Sequence, residues 1–592
     1  MRIERDVSVI MRDGVDLGTD LYLPDVPGRY PVLLQRTPYG KRLVAGSGFS
    51  PKRATGNGYV VAVQDTRGRF ASGGDFRPYE DDGPDGFDTI MWLADQPWSN
   101  GRVGMYGTSY MGTVQYLAAA TQPEPLKALV PSQTGASFYD GWAYDGGAFN
   151  LANRVGWTMA LLSDVAEKKS VPVPASMRKA ISALSDVMTS STDPHVSPQR
   201  RSDLQLTLAT KMHRILSTLP LDALPIPRDV AGYLLDWMEH ETYDDYWKRL
   251  DATWSYDSIT LPVLHIGGWY DLFLSGTIQN YLALADRAAR TGAELTQRLL
   301  IGPWTHGSFS RFQGDVDFGP EADSSRVQLG KLHMDWFDQW LKDDAANGTL
   351  NDPVTIFVMG VNRWRGEEAW PPRGCAARSW FLAGGGSANG RSGDGVLSVT
   401  RPLTDAVDGY VYDPLDPVPS VGGNMLGLGS KPGPCDRAEV EARHDVLVYT
   451  SEPLEHDVEA FGPASVRLWA STDGPDTDFC VALVDVHADG FAQPLAEGIL
   501  RARFRNSPES TTPLESGQVY EFNLDLGSIC NTFGRGHRLR LDVSSSNFPH
   551  YTRNLNTGGR VMTDSASRVA TQAVHHGPAY VSELRLHVRE NG

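Results

Sequence analysis

The stretch Gly101–Gln122, GRVGMYGTSYMGTVQYLAAATQ, sets an apolar run (Val103–Tyr106), a glycine-flanked serine and a helix-competent segment in direct succession. That is the order of a strand, a tight turn and a helix. A serine on such a turn stands above the sheet, and the helix N-terminus aims backbone N–H groups and a partial positive charge at a developing oxyanion. In Gly107-Thr108-Ser109-Tyr110-Met111-Gly112 the match to G-x-S-x-G is inexact, because Met111 takes the place of the second small residue and Gly112 follows one later. Taken alone, the segment also suits an ordinary turn.

Outward from it, Pro31–Gln35 (PVLLQ) and Tyr59–Gln64 (YVVAVQ) are near-continuous apolar runs of strand length, the pattern of strands covered on both faces. Phe87–Ala94 repeats apolar residues at helical spacing. From about Phe138 to Leu250 the texture turns to Pro-punctuated, charge-rich helical stretches, which predicts a helical insert. Strand texture resumes at Pro262–Ile266 (PVLHI) and Arg298–Ile301 (RLLI), followed by the aromatic-rich helix pattern Lys331–Lys342. After Asn351 alternating segments such as VTIFVMG, ASVRLWAS, FCVALVDV and RLRLDVSSS take over, at the spacing of a β-sandwich. The predicted fold class is therefore α/β with an all-β C-terminal domain. Its expected division is an α/β domain over residues 1–137 and 251–350, a helical cap over 138–250 and a sandwich over 351–592.

Composition excludes several classes. With 592 residues, 41% hydrophobic positions and 15 Trp the chain has ample core-forming material, and its length calls for about three or four domains. A formal charge of −18 repels phosphate backbones and anionic lipid, so neither nucleic acid nor a membrane is an expected partner. Four cysteines without a CxxC pair make neither a disulfide framework nor a zinc site and read as buried small hydrophobes. The charged start MRIERDVSVIMRD lacks the apolar core of a signal peptide, and no later stretch is long and apolar enough to span a bilayer, so a cytoplasmic location is expected. The Gly384–Gly395 loop lacks the GK[ST] ending of a phosphate-binding loop. His575-His576 lacks a third ligand, and His240-Glu241 does not complete HExxH. No metal and no other cofactor is expected.

A serine hydroxyl needs an adjacent base as it attacks. His306, in Ile301–Gly307 (IGPWTHG), directly follows a strand-like run in a loop bordered by Pro and Gly. A carboxylate must then fix the imidazole tautomer, and Asp271 in GGWYD follows the other late strand. The order Ser109, Asp271, His306 is that of α/β-hydrolase triads. Trp142, Trp157 and Phe273 lie in cap or site-proximal segments and are candidates for an apolar substrate pocket, while Asp65 and Arg67 read as an ion pair beneath the site.

The motifs MRDGVDLGTDLYLP, RTPYGK, QDTRGRFASGG, QPWSNGRVGMYGTSYMG, GGWYDLF, IGPWTHG, FVMGVNRWR, YDPLDPVPSVGG and SSSNFPHYTRN occur in this order over essentially the whole chain. In them the chain resembles the cocaine esterase and Xaa-Pro dipeptidyl-peptidase (CocE/NonD) family of α/β-hydrolases, which includes glutaryl acylases and α-amino acid ester hydrolases. The resemblance implies an α/β-hydrolase domain, a cap inserted after the sixth strand and a C-terminal jelly roll. It also implies a nucleophile at Ser109, an acid at Asp271, a base at His306, and an oxyanion hole made by the Tyr110 backbone N–H and the Tyr39 hydroxyl. The helical insert and the loop Asn424–Cys435 match the family poorly, and substrate identity is expected to reside there.

The leading expectation is a serine hydrolase that cleaves carboxylic esters, and by extension amides, of a small molecule through an acyl-enzyme. One alternative is an Xaa-Pro dipeptidyl-peptidase or an acylase-type amidase. A peptidase of that kind needs carboxylates for the substrate ammonium, and Glu239, Glu241, Asp244 and Asp245 read instead as a solvated helix face. A further alternative is an inert hydrolase fold that serves as a binding protein. The sequence leaves the physiological substrate open, and whether the chain forms a homo-oligomer.

Overall fold

The computed structural model describes residues 1–45, 50–192, 197–251, 254–342, 352–427 and 431–589. The first sheet holds β1 (Arg2–Ile10), β2 (Asp16–Leu23), β3 (Tyr30–Thr37), β4 (Val60–Asp65), β5 (Ser99–Thr108), β6 (Leu126–Ser132), β7 (Val263–Tyr270), β8 (Gln297–Thr305), β9 (Val354–Val358) and β10 (Arg363–Glu367). Their spatial order is β1-β2-β4-β3-β5-β6-β7-β8-β9-β10. From β4 to β9 neighbours run parallel, and the antiparallel pairings lie at the two edges.

All six residues of β4 and all eight of β7 are buried. Successive side chains of β4 serve opposite cores: Val60 and Ala62 pack with Ile90, Val114 and Leu117, while Val61 and Val63 pack with Leu332, Phe337 and Leu341. Those partners come from α1 (Asp82–Ala94) and α2 (Tyr110–Ala120) on one face and Leu329–Leu341 on the other. Burial on both faces is why these strands lack polar alternation.

Between β6 and β7 the chain forms the helical cap: α3 (Leu151–Lys168), α4 (Ala175–Thr192), α5 (Pro198–Leu216), α6 (Arg228–Glu239) and α7 (Asp245–Asp251). The cap shares its core with the sheet, since Trp157 and Trp237 belong to the same cluster as Val103 and Met105. α8 (Leu274–Thr291) follows β7, and α9 (Leu329–Leu341) is the last α-helix among the described residues.

Eleven strands between Cys375 and Arg589 form the C-terminal jelly roll. Its longest strand, Val458–Thr472, pairs with Tyr520–Phe533, Ala570–His576 and Glu583–Arg589. The jelly-roll core continues into the first sheet through Trp269 and Tyr270 of β7 and Ile356 and Phe357 of β9. Cys435, Cys480 and Cys530 are buried as expected, whereas Cys375 is half-exposed; all four are free thiols.

Five elements differ from the sequence reading. β7 and β8 run on through GGWY and GPWT, because Trp269 and Trp304 are buried and their indoles donate to the carbonyls of Phe357 (2.7 Å) and Ala322 (2.8 Å). α1 begins five residues earlier than the apolar spacing indicates, at Asp82, since Gly86 lets it approach Ala118 of α2. β1 and β2 escaped the sequence reading because a bulge between Glu4 and Val7 breaks the two-residue alternation of β1, and Gly18, Thr19 and Asp20 interrupt the apolar run of β2.

Candidate active site

Ser109 joins β5 to α2 with φ 65° and ψ −126°. This left-handed backbone is strained for a residue with a Cβ and is held by its surroundings. The Ser109 N–H donates to the Ser132 carbonyl at 2.9 Å, and its own carbonyl accepts from Gly112 N–H at 2.8 Å and from the Thr134 hydroxyl at 3.0 Å. The glycines on each side are sterically required. A Cβ at Gly107 would lie 2.5 Å from Met111 Cβ, and one at Gly112 would lie 2.8 Å from Thr134 Cβ. The small residue displaced by one position in the motif is thus the point where α2 meets the chain after β6.

Asp271 sits at the C-terminal end of β7 and His306 at that of β8, the neighbouring parallel strand. The carboxylate is wholly buried, and its Oδ1 accepts from His306 Nδ1 at 2.6 Å. The imidazole is 9% exposed and meets the edge of Phe273 at 5.5 Å between ring centroids. A residue the sequence did not single out, Gln133, holds this corner. Its Nε2 donates to the Thr305 carbonyl (2.9 Å) and its Oε1 accepts from Gly307 N–H (2.8 Å), so it grips the chain on both sides of His306. Gln133 directly follows Ser132, the acceptor for Ser109, and one short segment therefore ties the serine turn to the histidine loop.

Tyr39 follows β3, and its hydroxyl takes the indole N–H of Trp157 at 2.9 Å and interacts with the Ser109 hydroxyl. Burial raises its pKa above the usual phenol value, so the phenol remains a protonated donor. The Tyr110 N–H occupies the first helical position of α2, which has no acceptor within its own helix. The Tyr110 side chain points elsewhere: it stacks on Tyr79 at 4.3 Å and donates to Asp82, whose carboxylate is 3.1 Å from Arg36 Nη1. Only its backbone is free to face a substrate.

Trp142, Trp157 and Phe273 are buried and gather here. The two indoles lie 6.4 Å apart near perpendicular, and the guanidinium of Arg154 lies 4.5 Å from the Trp142 ring and 5.8 Å from that of Phe273. Asp65 and Arg67 do not pair with each other as the sequence reading expected. Asp65 accepts from the Lys41 amide and ammonium (2.6 and 2.9 Å), while Arg67 binds Asp85 and Asp13 (2.6 and 2.7 Å). β4 ends at Asp65, so Arg67 lies in the turn that follows and its guanidinium reaches Asp85 of α1 instead. His240 and His576 hydrogen-bond Asp244 (2.6 Å) and Asp408 (2.8 Å). The sequence reading also passed over Asp485, His487 and His537, which the jelly roll brings together, with His537 Nδ1 bonded to Asp485 at 2.8 Å. The Asn424–Cys435 loop touches the cap where Leu426 N–H donates to Asn153 Oδ1 at 3.1 Å; residues 428–430 of that loop lie outside the described residues.

This fold, with a strained serine turn tied through Ser132 and Gln133 to the loop of a histidine that bonds an aspartate at the adjacent strand end, defines a serine hydrolase of the α/β type. The pattern of the X-Pro dipeptidyl-peptidase (S15) family matches residues 13–308, and that of the X-Pro dipeptidyl-peptidase C-terminal non-catalytic domain matches 347–585. The chain is 36% identical to a cocaine esterase of Rhodococcus sp. (strain MB1 Bresler), over 99% of this chain and 98% of that one. Among solved structures, an α-amino acid ester hydrolase superposes with a TM-score of 0.77 at 27% identity, covering 99% of this chain and 96% of the other. An aminopeptidase from the marine sediment archaeon Thaumarchaeota archaeon does so with 0.77 at 25% identity and the same coverage. The chain belongs to the cocaine esterase and X-Pro dipeptidyl-peptidase (S15) family. Among the described residues no helix is long and apolar enough to cross a membrane.

Proposed function

We propose that the protein hydrolyses carboxylic esters of small molecules through an acyl-enzyme on Ser109. Ser109 Oγ attacks the ester carbonyl while His306 Nε2 takes its proton. Asp271, bonded to Nδ1, fixes the tautomer that leaves Nε2 available and balances the imidazolium. The oxyanion is received by the Tyr39 hydroxyl and the Tyr110 N–H. His306 returns the proton to the leaving alcohol, and water then releases the acid by the same steps in reverse. The 2.6 Å bond between His306 and a wholly buried Asp271, with the histidine loop tied to the serine turn through Ser132 and Gln133, carries this reading.

In the proposed division of labour, residues 138–250 form a cap that closes the cleft, and the residues after 350 form the domain that walls its other side. A cytoplasmic setting fits the four unpaired thiols. Ester cleavage is favoured over release of Xaa-Pro dipeptides by the state of the cap acids. Glu241 is spent on Arg503 (2.9 Å) and Asp244 on His240 (2.6 Å), while Glu239 and Asp245 face solvent. Labelling by a fluorophosphonate probe tests the proposal: Ser109→Ala is expected to abolish it without loss of fold, and labelling that persists in the variant removes Ser109 from the role. Hydrolysis of a Gly-Pro anilide faster than of an aryl ester would favour the peptidase.

A further inference from the structure

Arg154, on α3 one turn before Trp157, is 2% exposed; its guanidinium makes no hydrogen bond or ion pair among the described residues, and its Nε is wholly buried without an acceptor. Among the described residues the other buried arginines have partners: Arg36 and Asp82, Arg437 and Asp542, Arg501 and Asp478, Arg503 and Glu241, and Arg69 with the carbonyls of Pro38 and Leu161. A buried cation without acceptors loses hydration, and the faces of Trp142 and Phe273, 4.5 and 5.8 Å away, recover only part of that loss. The carboxylate that acts on it from further away, Asp145, is already engaged by Asn150 at 2.7 Å and by Tyr551. A second polar group in this region is also unpartnered: His550, 4% exposed, has a buried Nδ1 without a hydrogen bond, and burial together with the Arg154 charge keeps its imidazole neutral.

The unmatched guanidinium is placed for substrate. The Phe273 ring contacts both it and the His306 imidazole, at 5.8 and 5.5 Å, and Arg154 shares α3 with Trp157, which holds Tyr39. We infer that Arg154 is a specificity residue that binds a carboxylate on the substrate, so the preferred esters or amides carry an anionic group a short spacer away from the scissile carbonyl. A planar guanidinium flanked by aromatic faces suits a carboxylate bidentately, and the bound anion would supply the acceptors that the fold withholds. The net charge of −18 works against such a substrate at long range, so the recognition has to be local.

This inference rests on the ester-hydrolase reading, and the test separates the two. Mono-4-nitrophenyl adipate carries the carboxylate on the acyl side and 4-acetoxybenzoate on the leaving-group side; 4-nitrophenyl hexanoate and methyl 4-acetoxybenzoate are their neutral counterparts. For one of the two pairs kcat/KM is expected to favour the anion by at least about tenfold, the effect of a charge-assisted hydrogen bond in a buried site. Arg154→Leu should erase that ratio and Arg154→Lys retain part of it. A wild-type enzyme that turns over the neutral esters but prefers neither anion, or a preference that survives in Arg154→Leu, overturns the inference and leaves the hydrolase standing. Failure to turn over any of the four esters defeats the hydrolase reading. Calorimetric titration with adipate then decides the anion site by itself: heat seen with wild type and lost in Arg154→Leu sustains it, and no heat with wild type overturns it. Arg154→Lys provides the folded comparison should the leucine variant fail to fold.

Discussion

Asp271 is fully buried and spends one oxygen on His306, while its other oxygen, Oδ2, has no partner among the described residues. The imidazole is therefore held through a single strong contact, and an amide at this position would present a donor where an acceptor is needed. Asp271→Asn is expected to lower kcat by about 10⁴ through the wrong tautomer, with the folded state retained; steady-state hydrolysis of an aryl ester beside a thermal melt checks both halves. The three proposed catalytic side chains were legible because each carries a local mark: glycines around Ser109, and Gly, Trp and Pro beside Asp271 and His306 at strand ends. Arg154 was not. Its meaning lies in having no acceptor, which only the packed neighbourhood of Trp142, Phe273 and His550 reveals.

At the scale of elements, the site is an alignment of strand ends, and Gln133 sets that alignment after β6. Its side chain bonds on both sides of His306, so its loss would leave a buried carbonyl and N–H unmatched and let the histidine loop drift. Gln133→Leu is expected to lower kcat by about tenfold to a hundredfold with a smaller change in KM, since misplacement penalises the chemical step more than ground-state binding. Equal losses of folded fraction and of kcat, with the remaining folded enzyme fully active, would reduce Gln133 to a structural role. Sequence spacing predicted the existence of β3, β4, β7 and β8 but ended the last two early. The extension depends on where the Trp269 and Trp304 indoles find carbonyls, 88 and 18 residues along the chain, and no local pattern encodes that.

Over the whole molecule, the jelly roll contains a buried charge cluster of Arg437, Arg540, Glu441, Glu497 and Asp542. Burial, reinforced by Asp542, pushes the Glu441 carboxyl up to about 7, with Arg540 and Arg437 opposing. In the unfolded chain it ionises near ~4.3. Between those values the folded state holds the extra proton, so the stability this group contributes is fully present below about 4.3 and is lost as pH rises through about 7. Melting temperature is accordingly expected to fall from pH 5 to pH 8 more steeply in wild type than in Glu441→Gln, whatever the absolute stability of the variant. Parallel slopes would show that Glu441 does not titrate in this window. The sandwich itself was legible from alternation and turn spacing. Its shared core with β7 and β9 was not: the sequence reading put VTIFVMG, with Phe357, in the sandwich, whereas Val354–Val358 is a strand of the first sheet whose side chains join the sandwich core together with Trp269.

The contact between Leu426 and Asn153 joins a loop of the C-terminal domain to the helix residue immediately before Arg154. With Arg154 in the proposed selectivity role, two stretches of chain some 270 positions apart would set the substrate range jointly. A chimera that borrows its β domain from a relative would inherit the donor's loop against this cap, and its substrate range would shift even with every reacting atom left as it was.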